Sequence, residues 1–382
     1  MEKENFRKQQ RNKRKRSWSS RALLIVATYV CAVFVIAGIT VTALLLHKPA
    51  VDPTPQFPTD GTTEAPEETT DVAAKPEEPY TRKDGFYTFL IAGVDDVSMS
   101  TDVLMLASLD TVNGKINIVQ IPRDTFVNKE VGGYTSVTRV NAVFTAAYNR
   151  QRSSGATEAK AKHLAMQDLQ ARLSAALCVN IDEYVLINTT GFRNVIDAVG
   201  GIWYDVPRDM DYEDPEQNLY IHLKAGYQHL DGSQCEQLIR YRSGYATGDI
   251  GRVEMRGDFM VEALRQVKNN ITVGNMISMV PTLINHVSTS MSVADIVSYT
   301  KLVYAVDNAG IAVRTLGGSS VQNPATGLWI YYCLNKKEAL SDINECLNVY
   351  KTDITGEIFD KDGFFTDSKN ASNLYINDYY LS

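Results

Sequence analysis

The chain has no Walker A loop, no Gly-x-Ser-x-Gly elbow and no His-Glu-x-x-His pair. P-loop nucleotide chemistry, the hydrolase serine elbow and the helical zinc-protease site are therefore excluded. Its five histidines (His47, His163, His222, His229 and His286) show no metal-ligand spacing. The five cysteines form no Cys-x-x-Cys pair and no zinc-like pattern. Cys31 falls inside an apolar run, and Cys178, Cys235, Cys333 and Cys346 are expected as buried thiols. There is no internal repeat.

Charge is distributed unevenly. The first 21 residues carry nine basic side chains against Glu2 and Glu4, so this tail is +7; the whole chain is −7, which leaves −14 for the rest. An acidic remainder excludes nucleic-acid binding by bulk charge. The run 22–46 has no charged residue. It is long enough to cross a hydrocarbon core of roughly 30 Å with some tilt. Basic residues before a first span mark its cytoplasmic end, so residues 1–21 read as a cytoplasmic tail and everything after 46 as extracellular. The run exceeds a signal-peptide core of about 7–15 residues, which argues for a retained single-pass anchor in the cell membrane.

Residues 47–82 are rich in Pro, Thr, Glu and Asp and read as a disordered polar linker. The texture changes at 83. Runs 86–94, 103–109 and 116–121 read as strands, followed by 184–188 and 202–206. Ala161, Ala165, Leu169, Leu173 and Leu177 recur at four-residue spacing, broadened by Leu164 and Ala176, and predict a helix over 157–177. A helix over 192–199 ends at Gly200-Gly201, a left-handed cap. Further helices are expected near 233–240, 253–270 and 292–306. Strands mixed with helices predict an α/β or α+β domain over 83–350. Residues 351–382, rich in Asp, Asn and Tyr, read as a loosely ordered appendage.

Several charged residues stand at strand ends. Asp95 follows the first strand, Asp102 opens the second, and Arg123-Asp124 follows the third. Together they point to one rim of a sheet, where α/β domains bind ligands. A second cluster runs from 240 to 256: Arg240, Arg242, Arg252 and Arg256 against Asp249 and Glu254, around a Gly-rich loop that opens a helix. Arginine suits bidentate recognition of phosphate, and a helix N-terminus attracts anions. An anion site is expected there.

These blocks, in order, resemble the LytR-CpsA-Psr family. The resemblance is carried by 90–95, 101–110, Ile121-Pro122-Arg123-Asp124, Arg139-Val140-Asn141-Ala142, 195–202, Leu230-Asp231-Gly232, Arg240-Tyr241-Arg242 and Gly248-Asp249-Ile250-Gly251-Arg252. It covers about 86–270. It implies a three-layer α/β/α domain with a central mixed sheet and an apolar tunnel for a polyprenyl chain. It also implies an enzyme, chiefly of Gram-positive bacteria, that transfers a glycopolymer (teichoic acid, capsule or another secondary wall glycan) from a polyprenyl-pyrophosphate carrier to peptidoglycan, forming a phosphodiester. A second reading of the same residues is a polyprenyl-phosphate-binding scaffold of wall assembly.

Residue by residue, the resemblance implies that Arg123, Arg240, Arg242 and Arg252 grip phosphates, with Arg139 at a position where the family has Lys or Arg. Asp95 and Asp102 match carboxylates that hold Mg²⁺. Asp249 is the candidate for supporting Arg252 or accepting the acceptor's proton. The sequence departs from the family in two places. No arginine occurs in 96–100, and Met255 stands where a second arginine is expected, with Arg256 in place of a glutamine. Arg256 is expected to supply the missing charge.

Overall fold

A computed structural model of the chain describes residues 47–55, 80–95, 98–128, 139–215, 219–241, 249–322 and 329–365; the side chains of Asp249 and Trp329 are not among those described. The expected anchor at 22–46 and Arg242 lie outside the described residues. Among those that are described, no helix is long and apolar enough to cross a membrane.

The unit from Pro49 onward is built on a six-stranded mixed sheet. Its strands are β1 (Phe86–Val94), β2 (Thr101–Asp110), β3 (Lys115–Gln120), β4 (Glu183–Asn188), β9 (Val287–Thr289) and β10 (Ile311–Thr315), in the order β10-β3-β2-β1-β4-β9. β1, β3, β4 and β10 run one way, β2 and β9 the other. Two ribbons lie beside it: β5 (Ile202–Val206) with β8 (Gly226–Leu230), and β6 (Met210–Asp214) with β7 (Leu219–Leu223). β11 (Gly318–Gln322) and β12 (Trp329–Leu334) form a third pair.

The helices are α1 (Asn141–Ser153), α2 (Glu158–Leu177), α3 (Thr189–Ala198), α4 (Gly232–Arg240), α5 (Asp249–Asn270), α6 (Val273–Leu283), α7 (Val293–Ala305) and α8 (Lys336–Cys346). Period-two alternation sorts the sheet into two faces. Leu90, Ala92, Leu104, Leu106 and Val119 pack against α1, α2 and α8. Met105, Ala107, Leu109, Ile116 and Ile118 pack against α5 and α7. Helices thus cover both faces, and the expected three layers are present.

Local chemistry explains where elements start and stop. Thr157 caps α2, and the stripe Ala161, Ala165, Leu169, Leu173 and Leu177 is fully buried. Met166, not Leu164, completes the buried face. Gly200 and Gly201 adopt φ of +91° and +77° and return hydrogen bonds to Asp197 and Ile196 carbonyls, ending α3 as expected.

Two boundaries move. Ile354, Ile358, Phe359, Phe364 and Phe365 are buried in the main core, so the domain continues at least to 365 rather than stopping at 350. Their spacing is irregular, which hid them from a periodicity reading. At the other end, the Asn180 amide donates to the carbonyls of Asp52 (3.1 Å) and Thr54 (2.7 Å). Arg82, 9% exposed, pairs with Asp182 at 2.6 Å. The two ends of the expected linker therefore dock on the domain.

Candidate functional site

The parallel β1 and β3 end where the antiparallel β2 begins, so Asp95, Asp102 and Arg123 come to one rim, as their strand-end positions predict. Gly93 pairs with Val103 but Val94 with Thr101, so the register shifts here and Asp102 is the extra residue of a β-bulge. The backbone N–H groups of Asp95 (3.2 Å) and Asp102 (3.1 Å) both donate to the Ser100 carbonyl, so the two carboxylates stand at the base of one loop. Asp95 Oδ1 accepts from the Ser98 N–H at 2.8 Å. Asp102 Oδ1 accepts from Arg123 Nη1 at 3.0 Å, with both side chains part-exposed (32% and 20%).

Arg256 joins this rim to the second cluster. Its Nη1 donates to the Asp102 carbonyl (3.0 Å) and its Nε to the Ile239 carbonyl (2.8 Å). The end of α4 is thereby held beside the start of β2. Next to Ile239, Arg240 pairs with Glu236 at 2.9 Å, and Arg193 of α3 reaches the same carboxylate at 3.4 Å. Arg252, one turn before Arg256 on α5, is 1% exposed. On the far side, Asp124 lies between Arg123 (3.4 Å) and Arg139 (3.6 Å). The Arg139 guanidinium also sits 5.3 Å over the Tyr331 ring. Asp102, Gln120, Arg123 and Arg256 line a narrow recess with apolar walls that include Leu104, Ile121 and Val253.

The structure thus assembles Asp102, Arg123, Arg139, Arg240 and Arg256 into a linked network, with Asp95 at the base of the same loop and Arg252 buried one turn from Arg256. Two participants, Arg193 and Glu236, were not among the candidates, while Asp124 stands beside Arg123 at the strand end, as expected. The Leu230-Asp231-Gly232 block proves structural. Asp231 caps α4 in a reciprocal box with Gln234. At Gly232 a Cβ would meet the Arg193 carbonyl oxygen at 2.3 Å, so glycine permits α4 to approach α3 where Arg193 is presented.

At each departure from the family pattern a methionine packs inward. Met99 adopts φ +54° and packs against the main core. Met255, 6% exposed, packs in the cluster with Leu238 and Phe259. Arg256 places its charge at the rim but anchors it on two carbonyls. Among the described residues no group of three or more His, Cys, Asp or Glu could hold a metal by protein ligands alone.

The rim of this mixed α/β sheet thus gathers arginines beside Asp102, with Asp95 on the same loop. The sequence model of the LytR_cpsA_psr family matches residues 57–347, and the chain belongs to that family. It is 30% identical over 172 residues to the polyisoprenyl-teichoic acid–peptidoglycan teichoic acid transferase TagV of Bacillus subtilis, covering 44% of this chain and 40% of that protein. It is 27% identical over 216 residues to a TagU of the same description from Bacillus cereus, covering 50% and 62%. The chain spans about half the length of these curated relatives. The crystal structure of B. subtilis TagV shares the fold, with a TM-score of 0.52 at 22% identity over 67% of this chain and 94% of that one.

Proposed function

We propose that the protein transfers a wall glycopolymer from a polyprenyl-pyrophosphate carrier to peptidoglycan. The observation that carries this reading is the continuous chain of contacts Arg139–Asp124–Arg123–Asp102–Arg256, whose last member also holds the carbonyl next to Arg240. A pyrophosphate diester carries two negative charges, and phosphoryl transfer is chiefly positioning and charge neutralisation. Arg123 and Arg240, each held by a carboxylate and still part-exposed, offer positive charge to phosphate oxygens. Arg252, buried one turn before Arg256, supplies a desolvated cation on the same helix.

In the reaction, an acceptor hydroxyl forms a new P–O bond at the phosphorus next to the glycan. The P–O–P bridge breaks, and polyprenyl monophosphate leaves. Asp249 is the candidate acceptor of the hydroxyl proton. Asp95 and Asp102 offer hard oxygen donors at one loop, and Mg²⁺ is bound by one or two carboxylates plus substrate phosphates, so the donor set fits that ion. Bound there, Mg²⁺ would neutralise pyrophosphate charge.

The polyprenyl chain needs an apolar path. The sheet face toward α5 and α7 offers one, because Tyr87, Phe89, Ile91 and Val103 remain only partly buried there. A membrane anchor at 22–46, with the domain on the extracellular side, places the enzyme where such a carrier resides. The similarity to teichoic acid transferases supports teichoic acid as the polymer class.

The test incubates the purified full chain with a synthetic polyprenyl-pyrophosphate glycan, Mg²⁺ and peptidoglycan fragments. A phosphodiester-linked product is expected. Bound lipid with no product would instead support the scaffold reading.

A further inference from the structure

Every tryptophan or tyrosine that the described residues leave exposed lies between positions 203 and 227: Trp203 (46%), Tyr212 (39%), Tyr220 (47%) and Tyr227 (69%). On the β5–β8 ribbon, Ile202, Val206 and Leu230 turn inward and are buried. Period two then sends Trp203 and Asp205 outward, paired across the ribbon with His229 and Tyr227. The Trp203 and Tyr227 rings stack at 5.5 Å and 20°, and His229 flanks the indole at 5.1 Å.

The main chain at Trp203 is held by α5. Gln266 of α5 accepts from the Trp203 backbone N–H at 2.9 Å and donates to the Trp203 backbone carbonyl. The same amide fixes Glu262 at 2.8 Å. Asp258, Glu262 and Arg265 follow one another at i, i+4 and i+7 along α5 and form the opposite wall. Between the walls runs a cleft of about 580 Å³. Arg265 donates to the carbonyls of Asn308 (3.4 Å) and Ile311 (3.2 Å), so the only cation of the lining is engaged with backbone. Asp205 and Asp258 form no ion pair or hydrogen bond among the described residues.

Two stacked rings kept in water, on a strand whose main chain α5 holds, form an apolar platform. Exposed patches of this kind mark binding sites. The ring faces are electron-rich and favour a partner with polarised C–H groups. The carboxylates accept hydroxyl and amide protons and repel phosphate. A pyranose ring meets all three requirements: a C–H face, several O–H donors and no negative charge.

We propose that the Trp203–Tyr227 cleft is a binding subsite for an uncharged saccharide strand, distinct from the arginine rim. Its use as the seat of the acceptor glycan rests on the transferase reading above; its chemistry does not. Such a strand has two sources, the wall acceptor and the sugar portion of the donor. The carboxylates favour the former, because donor polymers of the teichoic type carry phosphate.

The experiment titrates the full chain in detergent micelles with a pentamer of N-acetylglucosamine, a glycerol-phosphate oligomer and a lysine-rich peptide, by calorimetry. Binding of the pentamer is expected. It should weaken by about tenfold in Trp203→Ala and stay within about threefold in Trp203→Phe, because stacking needs only an aromatic face. Tyr227→Ala, at a position 69% exposed, is a second variant that folding does not depend on. Binding of the pentamer that is indifferent to both alanine variants overturns the proposal. So does binding of only the peptide, or of the glycerol-phosphate oligomer in preference. In Arg123→Ala the pentamer should still bind while transfer is lost, so failure of the transferase reading and failure of this subsite are told apart.

Discussion

The two faces of the central sheet are built from the same strands but packed differently. Along β1, Phe86, Thr88, Leu90, Ala92 and Val94 are all buried, while the alternating Tyr87, Phe89, Ile91 and Gly93 are not. The first set packs against α1, α2 and α8 in the largest apolar cluster of the described residues. The second set faces α5 and α7 in a smaller cluster with many partly buried members, among them Val103, Met260, Leu264 and Leu302. Nearby, α6 is strongly apolar, yet only Val280 of it is buried. One face is therefore committed to stability. The other retains apolar surface without full packing, which is what an apolar ligand requires. The arginine rim stands at the edge shared by both faces.

The comparison is broken most directly by truncating the committed face. Leu90 is completely buried, so Leu90→Ala should cost about 2–5 kcal/mol of unfolding free energy from lost transfer energy and a residual cavity. Urea denaturation monitored by circular dichroism measures this. A loss below about 1 kcal/mol would show that this face is no better packed than the other.

At the rim the opposite profile is expected. Arg123 is part-exposed and ion-paired on the surface, where such pairs stabilise by at most about 1 kcal/mol. Arg123→Ala should leave the midpoint of unfolding nearly unchanged while lowering glycopolymer transfer by about 10²-fold, the usual effect of removing one charge-stabilising donor. Arg256→Ala should differ from it by also destabilising the fold, since Arg256 joins α4 to β2 through two carbonyls. Equal thermal stability of the two variants would remove the distinction between a gripping and a positioning arginine.

On the open face, Ile91→Ala should cost about 1 kcal/mol or less, because the side chain is only partly buried. Its effect should show instead as several-fold weaker retention of a polyprenyl phosphate, read by mass spectrometry of co-purified lipid. Destabilisation equal to that of Leu90→Ala would mean that both faces are ordinary core.

The same contrast explains what could be read from the sequence. β1, β2, β4 and α2 were legible because uninterrupted apolar runs or a four-residue stripe leave one assignment. α1 was not, because its sequence, rich in Asn, Thr, Gln and Arg, buries only Val143, Phe144 and Ala147. The five-residue strands β6, β7 and β8 were missed because polar and aromatic residues fill their outward positions. At the site, Asp95, Asp102 and Arg123 were legible since strand ends fix a rim. Arg193 and Glu236 were not, because what makes them site residues is the approach of α4 to α3 at Gly232. The ambiguity of Arg256 also needed coordinates: only its two carbonyl contacts show that its charge is anchored.

The buried cysteines give the smallest but most local test of the committed face. Cys178 and Cys346 both lie in its cluster. Burial pushes the Cys178 thiol up to about 12 and the Cys346 thiol up to about 11. Unfolded thiols titrate near about 8.5. The folded state therefore keeps protons that the unfolded state releases, so stability is full below about pH 8.5 and declines as pH rises towards these raised values. At pH 8 neither thiol should react with an alkylating reagent in the native protein, and both should react once urea unfolds it; peptide-resolved mass spectrometry separates the two sites from Cys31. Leu90→Ala should raise the rate at Cys178, which shares its cluster, more than Ile91→Ala does. Equal rates in the two variants would show that openings of the two faces are not separable.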